Sequence, residues 1–236
     1  MTARRFAVVE RAADPGTLHA FEPPIEPTPT IVVAEVTAPA LVLGSTQSAG
    51  DADPDRAARD GYDIVRRRSG GGSVWLAPGA QLWVDVWVPA GDRLWNDDVS
   101  RAAVPVGQAW RAALESLGLG VGLWVHEGGV VARPWSDLVC FAGVGPGEVL
   151  DGTGRKWVGI SQRRTRSWIR LQTMAHRVWD PAAAASALGY AADEALANAV
   201  GAIGDADPRA GSPRRLGLIA RRGGLPAAST AAHVLR

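Results

Sequence analysis

Short apolar runs, rich in β-branched residues and bounded by glycine or proline, recur along the chain. Runs of this kind are typical of strands that are buried on at least one face. They predict strands at 31–36, 40–44, 62–65, 82–88, 121–126, 137–142, 147–150 and 156–161. Turn residues separate most neighbouring runs, so the sheet is expected to be mixed and largely antiparallel.

A second pattern, with apolar residues three and four positions apart, covers 97–117. This spacing predicts a helix that begins at a pair of capping aspartates and ends at Gly118. Alanine-rich segments at 182–188 and 191–200 also favour helix, and a short helix is expected within 47–60. The order of strands and helices predicts an α+β fold in which helices flank the sheet.

The size and composition of the chain are those of an ordinary globular protein. Its 236 residues are 47% hydrophobic and 21% charged, which predicts one domain over 1–190 and a short helical extension with a loose tail over 191–236. A net charge of +1 favours neither nucleic acid nor an anionic membrane. The chain has no apolar run of membrane-spanning length and no signal-peptide core at its start. We expect a monomer without nucleic-acid or membrane partners.

Cysteine and histidine usage narrows the expected chemistry. The single cysteine, Cys140, excludes an internal disulfide and fits a reducing compartment, so a cytoplasmic location is expected. The four histidines are far apart in the sequence and show no spacing typical of metal ligands, so no metal site is predicted.

Lysine usage singles out one residue. Lys156 is the only lysine among 25 basic residues, and the others are arginines. An ammonium is a compact charge with three rotatable donors, which suits close approach to a carboxylate or phosphorus centre. The lysine either serves such a function or persists by drift in an arginine-rich chain.

A basic, glycine-rich motif occupies 66–74, with the sequence RRRSGGGSV. Three glycines after a strand let the backbone approach a ligand, and their N–H groups can bind an anion beside the arginines. The motif is neither a P-loop nor a dinucleotide-binding loop. It is either a ligand-binding loop or a flexible turn beside a solvated basic patch.

The second motif contains the lysine and reads GRKWVGISQ over 154–162. The predicted strand mixes polar Ser161 and Gln162 with apolar neighbours, which is typical of a pocket wall. The alternative is an exposed edge strand, on which a lysine commonly protects against unwanted pairing.

Together, the two motifs resemble those of the lipoate–protein ligases and their octanoyltransferase relatives. The stretch 66–74 is similar to the family's Arg-Arg-x-Ser/Thr-Gly-Gly-Gly-Ala-Val signature, and 154–162 is similar to its Gly-Arg/Lys-Lys-Ile-x-Gly-Ser-Ala-Gln signature. The motifs occur in the family's order, and the only lysine falls at the family's lysine position. Weaker similarity at 40–47 and 179–181 extends the resemblance over roughly residues 30–190.

The resemblance implies a seven-stranded mixed sheet of the biotin/lipoate protein ligase type, with an acyl chain in an apolar tunnel. It implies that Lys156 contacts the acyl carbonyl or the α-phosphate. Its substrate-binding positions correspond to Arg66, Arg67, Ser69, Gly70, Gly71, Gly72, Ser73, Val74, Gly159 and Ser161. Trp75 and Trp157 either line the acyl chain or belong to the core.

The resemblance also implies substrates and partners. Lipoate or octanoate would be the acyl substrate, and ATP with Mg²⁺ would activate it. The acceptor would be a lipoyl carrier domain, from the E2 subunit of a 2-oxoacid dehydrogenase or from the glycine cleavage H protein.

Two departures from the ligase pattern bear on how the acyl group is activated. ATP-using ligases continue aromatic-His-Asp-x-Gly-Asn after the glycines, whereas 75–80 reads WLAPGA. In one octanoyltransferase branch, a Cys-Phe pair about 15 residues before the lysine supplies a thioester nucleophile, and Cys140-Phe141 occupies a similar position. Cys140 is therefore either a nucleophile or a small buried hydrophobe.

Three functions remain open at this point. The first is a lipoate–protein ligase that forms an acyl-adenylate. The second is an ATP-independent octanoyl or lipoyl transferase that uses Cys140. The third is a non-catalytic protein that binds an acyl group or a nucleotide on the same fold.

Overall fold

The computed structural model describes residues 6–23, 28–120 and 122–206. Within these ranges, ten strands form two sheets. The strands are β1 Ala7–Ala13, β2 Thr30–Val36, β3 Ala40–Leu43, β4 Asp63–Arg66, β5 Val74–Leu76, β6 Gln81–Pro89, β7 Trp124–Val125, β8 Val149–Leu150, β9 Lys156–Arg164 and β10 Trp168–His176. The larger sheet has seven strands in the order β1-β2-β6-β10-β9-β8-β7, and the smaller has the order β4-β3-β5.

Short helices connect the strands, and one long helix covers part of the large sheet. The α-helices are α1 Pro15–Ala20, α2 Pro54–Arg59, α3 Val99–Ser116, α4 Pro181–Ser186, α5 Glu194–Ala197 and α6 Ile203–Ala206. Asp98 caps α3 by accepting hydrogen bonds from two backbone N–H groups of its first turn. None of the described helices combines the length and the apolar character that a membrane crossing requires.

The strand pairing confirms the predicted α+β fold. In the large sheet only the β1–β2 pair is parallel, and the other pairs are antiparallel. The seven strands agree with those implied by the family resemblance. The separate three-stranded sheet was not predicted, because each of its strands has only three or four residues.

The two faces of the large sheet bury different partners. On one face α3 packs Ala103 and Val106 against alternate apolar residues of β6 and β10. On the other face the small sheet packs Val42 and Leu76 against Trp83 of β6 and other residues of the same core. The second face therefore lies between two sheets, and this is where a ligand pocket forms.

The register of the three central strands sets out that second face in rows. Met174 of β10 lies between Trp83 and Gly159, and Gln172 lies between Asp85 and Ser161. Successive rows on one face are two residues apart, which is roughly 7 Å along the strands. This face of the sheet is therefore apolar in the row of Met174 and polar in the adjacent row of Gln172.

The structure corrects several strand predictions. The prediction of a strand over 137–142 is wrong, because this segment is a turn followed by a 3₁₀ helix at Cys140–Ala142. Most of its apolar residues are buried, which is why the segment resembles a strand. Its backbone, however, pairs with Ser73 alone and forms no continuous strand pairing. β1, β5 and β10 were missed. β10 was missed although its apolar Ile169 and Leu171 alternate with polar Arg170 and Gln172, which is the period of a half-buried strand.

The predicted helices are confirmed in position but not always in length. The segment 191–200 contains only the four-residue α5. After α5, the backbone N–H of Lys156 donates to the carbonyl of Ala199, and the N–H of Gly201 donates to the carbonyl of Lys156. The segment after α5 therefore pairs with the start of β9. The predicted domain boundary at residue 190 stays a prediction. From residue 207 onward, the segment predicted to be a loose tail lies outside the described residues.

Candidate active site

A pocket opens between the two sheets, with a volume of about 440 Å³ including its mouth. The apolar part of its lining is formed by Val74, Leu76, Trp83, Phe141 and Met174. The polar part is formed by His19, Arg67, Cys140, Ser161 and Gln172. The lining combines an apolar wall with a few hydrogen-bonding groups, as acyl-binding sites require.

Arg67 holds the glycine loop in place from inside the protein. Its side chain is buried, and its guanidinium donates to the carbonyls of Val42, Gly70 and Gly72 and to the Ser69 hydroxyl. All of these acceptors are uncharged. Burial lowers the pKa of Arg67, and nearby Cys140 opposes that shift. The pocket therefore contains a desolvated positive charge that can stabilise an anion.

Gly71 and Gly72 of the loop, and Gly44 beside it, are required by close contacts or by a positive φ. A β-carbon at Gly44 would lie 1.8 Å from the carbonyl oxygen of Gly71, and one at Gly72 would lie 2.8 Å from the backbone N of Cys140. Gly71 has φ +90° and lies beside both Arg67 Nη2 and Cys140 Sγ. The loop can therefore pack directly onto the Cys140 segment only because these side chains are absent.

A line of hydrogen bonds crosses the polar part of the pocket. The Ser69 hydroxyl lies 3.1 Å from the Ser161 hydroxyl and donates to Gln172 Oε1 at 2.9 Å. Gln172 Nε2 lies 3.1 Å from Nδ1 of His19, whose ring stacks on Trp83 at 4.7 Å. Burial lowers the pKa of His19 to about 3, with a further contribution from the positive charge of nearby arginines. The imidazole is therefore neutral near pH 7.

A buried ion pair anchors α1 over the pocket. Arg170 Nε and Nη2 donate to Asp85 Oδ2 at 2.8 and 2.6 Å. The same guanidinium donates to the carbonyls of His19 and Leu18, at the end of α1. Burial raises the pKa of Asp85, and Arg170 opposes that shift. The ion pair therefore fixes the position of His19 in the pocket wall.

Cys140 and Phe141 form the part of the wall nearest Lys156. The aromatic ring of Phe141 packs on Gly159, where a β-carbon would lie 2.9 Å from the ring. Cys140 lines the pocket, and its backbone bonds to Ser73 of the glycine loop. The thiol is therefore accessible from the pocket and is not a sealed core residue.

Lys156 lies behind this wall, 1% exposed. Its ammonium donates to the carbonyl of Cys140 at 2.7 Å and to Glu148 Oε2 at 2.8 Å. Glu148 is also buried and accepts from the N–H groups of Gly145 and Ile160. In this arrangement Lys156 does not line the pocket, and it fixes the backbone of Cys140 from the rear.

The structure brings some of the sequence-predicted site residues together and separates others. Those that line the pocket are Arg67, Val74, Cys140, Gly159 and Ser161. Ser69, Gly70, Gly71 and Gly72 form the loop beside it. Arg66 instead donates to the carbonyls of Gly44 and Gln47, and Ser73 donates to the carbonyl of Leu138.

The two tryptophans considered for the acyl wall lie elsewhere. Trp75 packs with Ala80 and Ala184, and Trp157 packs in the core beneath α3. Trp83 lines the pocket in their place. Sequence reasoning also missed His19, Gln172 and Glu148. Of these three, only Glu148 could have been found from the sequence, because it follows a glycine-rich turn shortly before the lysine.

His176 is a buried histidine behind Phe141. Both of its ring nitrogens lack hydrogen-bond partners among the described residues, and its ring contacts Phe141 and Trp179. Burial lowers its pKa to about 3, and the charge of Lys156 adds to that shift. The unfolded chain therefore binds one more proton than the folded protein between about pH 6.5 and pH 3, so stability falls as the pH falls through this range.

We expect the His176→Phe variant to be at least as stable as the wild type at pH 7.5, because an apolar ring replaces unpaired nitrogens. Below pH 6 its free energy of unfolding should fall less steeply than that of the wild type, by about 1.4 kcal/mol per pH unit. Urea denaturation at pH 7.5, 5.5 and 4.5 measures both quantities. The matched control is His126→Phe, outside the pocket, and identical slopes for His176→Phe and wild type would contradict the assignment.

The comparisons with known proteins agree with this geometry. The family model of the lipoyl protein ligase A/B catalytic domain matches residues 19–195. The match covers most of the chain, and the chain belongs to this family. A search of the curated proteins finds no significant match.

Solved structures share the fold at low sequence identity. Protein Ta0514 of Thermoplasma acidophilum, with bound lipoic acid, aligns with a TM-score of 0.63 and 16% identity, over 98% of this chain and 93% of that one. Lipoate-protein ligase A bound with ATP aligns with a TM-score of 0.59 and 14% identity, over 100% of this chain and 93% of that one. A bi-partite lipoate protein ligase from Thermoplasma acidophilum, described with its E2 lipoyl domain, aligns with a TM-score of 0.60 and 16% identity, over 99% of this chain and 91% of that one.

Proposed function

We propose that this protein attaches a lipoyl or octanoyl group to a lysine of a carrier domain. The observation that carries the proposal is the apolar pocket between the sheets, in a member of the lipoyl ligase family, with Arg67 and Cys140 in its wall. An apolar pocket suits a medium-length acyl chain, and the buried guanidinium suits an anionic carbonyl oxygen or phosphate.

The acceptor in this proposal is a lipoyl carrier domain, either the E2 subunit of a 2-oxoacid dehydrogenase or the glycine cleavage H protein. A structural neighbour that is paired with an E2 lipoyl domain supports this choice. The lone cysteine supports a cytoplasmic location, where such carriers would be met.

The position of Cys140 favours a route through a thioester on the enzyme. The Cys140 thiol loses its proton and attacks the carbonyl of an acyl thioester donor, the bond between that carbonyl and the donor sulfur breaks, and the donor leaves as a thiol that takes up the proton. The amine of the carrier lysine then attacks the acyl-Cys140 carbonyl, an amide forms, and Cys140 leaves as a thiol with the proton of the amine. Accessibility from the pocket and the positive charge of Arg67 support this role.

Lys156 supports the same step from behind the wall. Its ammonium is bonded to the carbonyl of Cys140, so it fixes the backbone that carries the thiol. The ammonium does not line the pocket and its charge is paired with Glu148, so its part in this proposal is to position the Cys140 backbone. Glu148 keeps the ammonium in place by a direct ion pair.

The acyl-adenylate route is the alternative, in which the substrate carboxylate attacks the α-phosphorus of ATP and pyrophosphate leaves. The glycine loop and Arg67 fit a phosphate. The segment that follows them does not, because 75–80 forms β5 and a turn with no imidazole, carboxylate or amide side chain.

The two routes predict different results for a cysteine variant. We expect wild-type protein incubated with octanoyl-carrier protein, without ATP, to gain one octanoyl group on Cys140 in a denaturing intact-mass measurement. The Cys140→Ser variant should gain none, and its transfer rate should fall more than about 10³-fold, because the nucleophile is lost. The change of one atom should leave the fold intact, which circular dichroism verifies.

Other outcomes would contradict the thioester route. Transfer by Cys140→Ser at the wild-type rate, with pyrophosphate release from lipoate and ATP, would establish the adenylate route instead. Binding of acyl groups without transfer from either donor would indicate the non-catalytic protein.

A further inference from the structure

The chain reaches Cys140 through a turn with an unusual residue in its third position. The turn is closed by a hydrogen bond of 3.1 Å from the N–H of Ser136 to the carbonyl of Arg133. Pro134 follows Arg133, and Trp135 has φ +70°. Proline in the second position and a positive φ in the third are the features of a type II turn, in which the third residue is usually glycine or asparagine.

A tryptophan in this position is strained. Among the described residues, Trp135 is the one residue other than glycine with a positive φ. A bulky side chain is disfavoured in this left-handed region, and such residues persist only where the surrounding structure holds them. The contacts of Trp135 must therefore offset the strain of its backbone.

The contacts of the indole come from the segment around α5. Its N–H donates to Asp193 Oδ1 at 2.8 Å, and Asp193 also caps α5. The indole meets the ring of Tyr190 edge to face, with 5.7 Å between the ring centroids. It also packs against the core cluster that contains Leu196. The side chain of Trp135 is therefore anchored to a part of the chain that is distant in sequence.

The backbone of Trp135 is joined to the residues that precede the thiol. Its carbonyl accepts from the N–H groups of Leu138 and Val139, at 3.0 and 2.7 Å. The next residue is Cys140, whose own N–H donates to the carbonyl of Ser73. Residues 135–139 therefore form one hydrogen-bonded unit that leads directly to the thiol.

This unit lies inside a closed loop. Val131 and Val144 exchange both of their backbone hydrogen bonds, at 2.8 and 3.1 Å, so the chain is fixed before the turn and after the thiol. A change of φ at Trp135 would have to be taken up between these two points. It would rotate the hydrogen-bonded unit and displace Cys140 from the carbonyl of Ser73.

We propose that Trp135 is a positioning residue for Cys140, because its anchored indole holds the strained turn that places the thiol in the pocket wall. Trp135 does not itself line the pocket, so it acts through the backbone. The proposal rests on the proposed function, since it names a residue that the thioester route needs. Attack on a carbonyl depends on the position of the sulfur, and a displacement of about 1 Å is enough to slow such a step strongly.

Glycine and alanine at position 135 separate positioning from stability. Both variants lose the indole and all of its contacts. Glycine adopts a positive φ without strain, whereas alanine keeps a β-carbon that disfavours it. We expect Trp135→Gly to acylate Cys140 near the wild-type rate and Trp135→Ala to be about tenfold slower. A merely structural role predicts the same rate for both.

The rate is measured on the whole protein, mixed with octanoyl-carrier protein at several concentrations. Denaturing intact mass follows the acyl group on Cys140, and circular dichroism verifies the fold. We expect the maximum rate to change and the half-saturating donor concentration to stay the same, because the pocket lining is unaltered. The control Trp124→Ala removes another partly exposed indole that donates one hydrogen bond, and it should keep the wild-type rate.

A second pair of variants repeats the comparison with side chains of similar size. Asparagine tolerates a positive φ and leucine does not, so Trp135→Asn should be faster than Trp135→Leu. This pair decides the question if Trp135→Ala does not fold.

The outcomes separate this proposal from the proposed function. Equal maximum rates within the folded pairs, with acylated wild type, would overturn the role of Trp135 and leave the thioester route intact. A change confined to the half-saturating donor concentration would also overturn it. No acylation of Cys140 in the wild type would contradict the thioester route and, with it, the positioning role.

Discussion

Replacing Lys156 by alanine is expected to abolish acyl transfer and to lower the free energy of unfolding by about 3–5 kcal/mol. The lysine is buried and pairs with Glu148, whose side chain is equally inaccessible. Removing one partner leaves a desolvated carboxylate without its counter-charge, and the Cys140 carbonyl loses its donor. Urea denaturation measures the loss of stability, and intact mass of the carrier domain measures transfer.

A double variant separates stability from activity. In Lys156→Met with Glu148→Gln no buried charge is left unpaired, and the amide oxygen introduced by the second substitution can still accept a backbone hydrogen bond, so most of the lost stability should return. Transfer should not return, because the ammonium is still absent. Wild-type stability of Lys156→Ala would contradict the buried pair, and wild-type transfer by the double variant would contradict the positioning role of Lys156.

Replacing Arg170 by methionine is the second change with a large expected effect, again about 3–5 kcal/mol. Asp85 would be left buried with the Trp83 indole as a remaining donor. The end of α1 would lose the donors to Leu18 and His19. We therefore expect weaker octanoate binding, measured by isothermal titration calorimetry, as well as lower stability, since His19 would lose its fixed position.

Two controls accompany the arginine variant. Arg166→Met changes an exposed arginine between β9 and β10 and should alter neither stability nor binding. Adding Asp85→Asn to Arg170→Met removes the unpaired charge, so it should recover much of the stability but not the affinity. If the double variant recovered both stability and affinity, Arg170 would act only on the fold. Wild-type stability of Arg170→Met alone would contradict the ion pair.

The sequence was sufficient to predict the parts of the fold that depend on local patterns. The α3 helix has clear apolar periodicity, β6 is a nearly continuous apolar run, and the glycine loop is constrained by its own composition. The ordered pair of motifs at Arg67 and Lys156 was sufficient for the family. These features are encoded within short segments, so no tertiary contact was needed to find them.

The rest of the site depends on contacts between distant segments. His19 and Gln172 are 153 residues apart in the chain and meet only because α1 folds over β10. β10 itself alternates apolar and polar residues over 169–172, so the strand could have been predicted from the sequence, whereas its contact with His19 could not. Lys156 was predicted to face the substrate, but its partner Glu148 determines where its ammonium lies, and sequence alone could not show that pairing.

The most direct test of the proposed transfer is the mass of the carrier domain itself. An apo-carrier domain is incubated with the protein and either octanoyl-carrier protein or lipoate plus ATP, and is then weighed and mapped by mass spectrometry. We predict one added acyl group on a single lysine of the carrier with wild-type protein, and none with the Lys156→Met, Glu148→Gln variant. No gain with either donor, from folded wild-type protein, would contradict the proposed function.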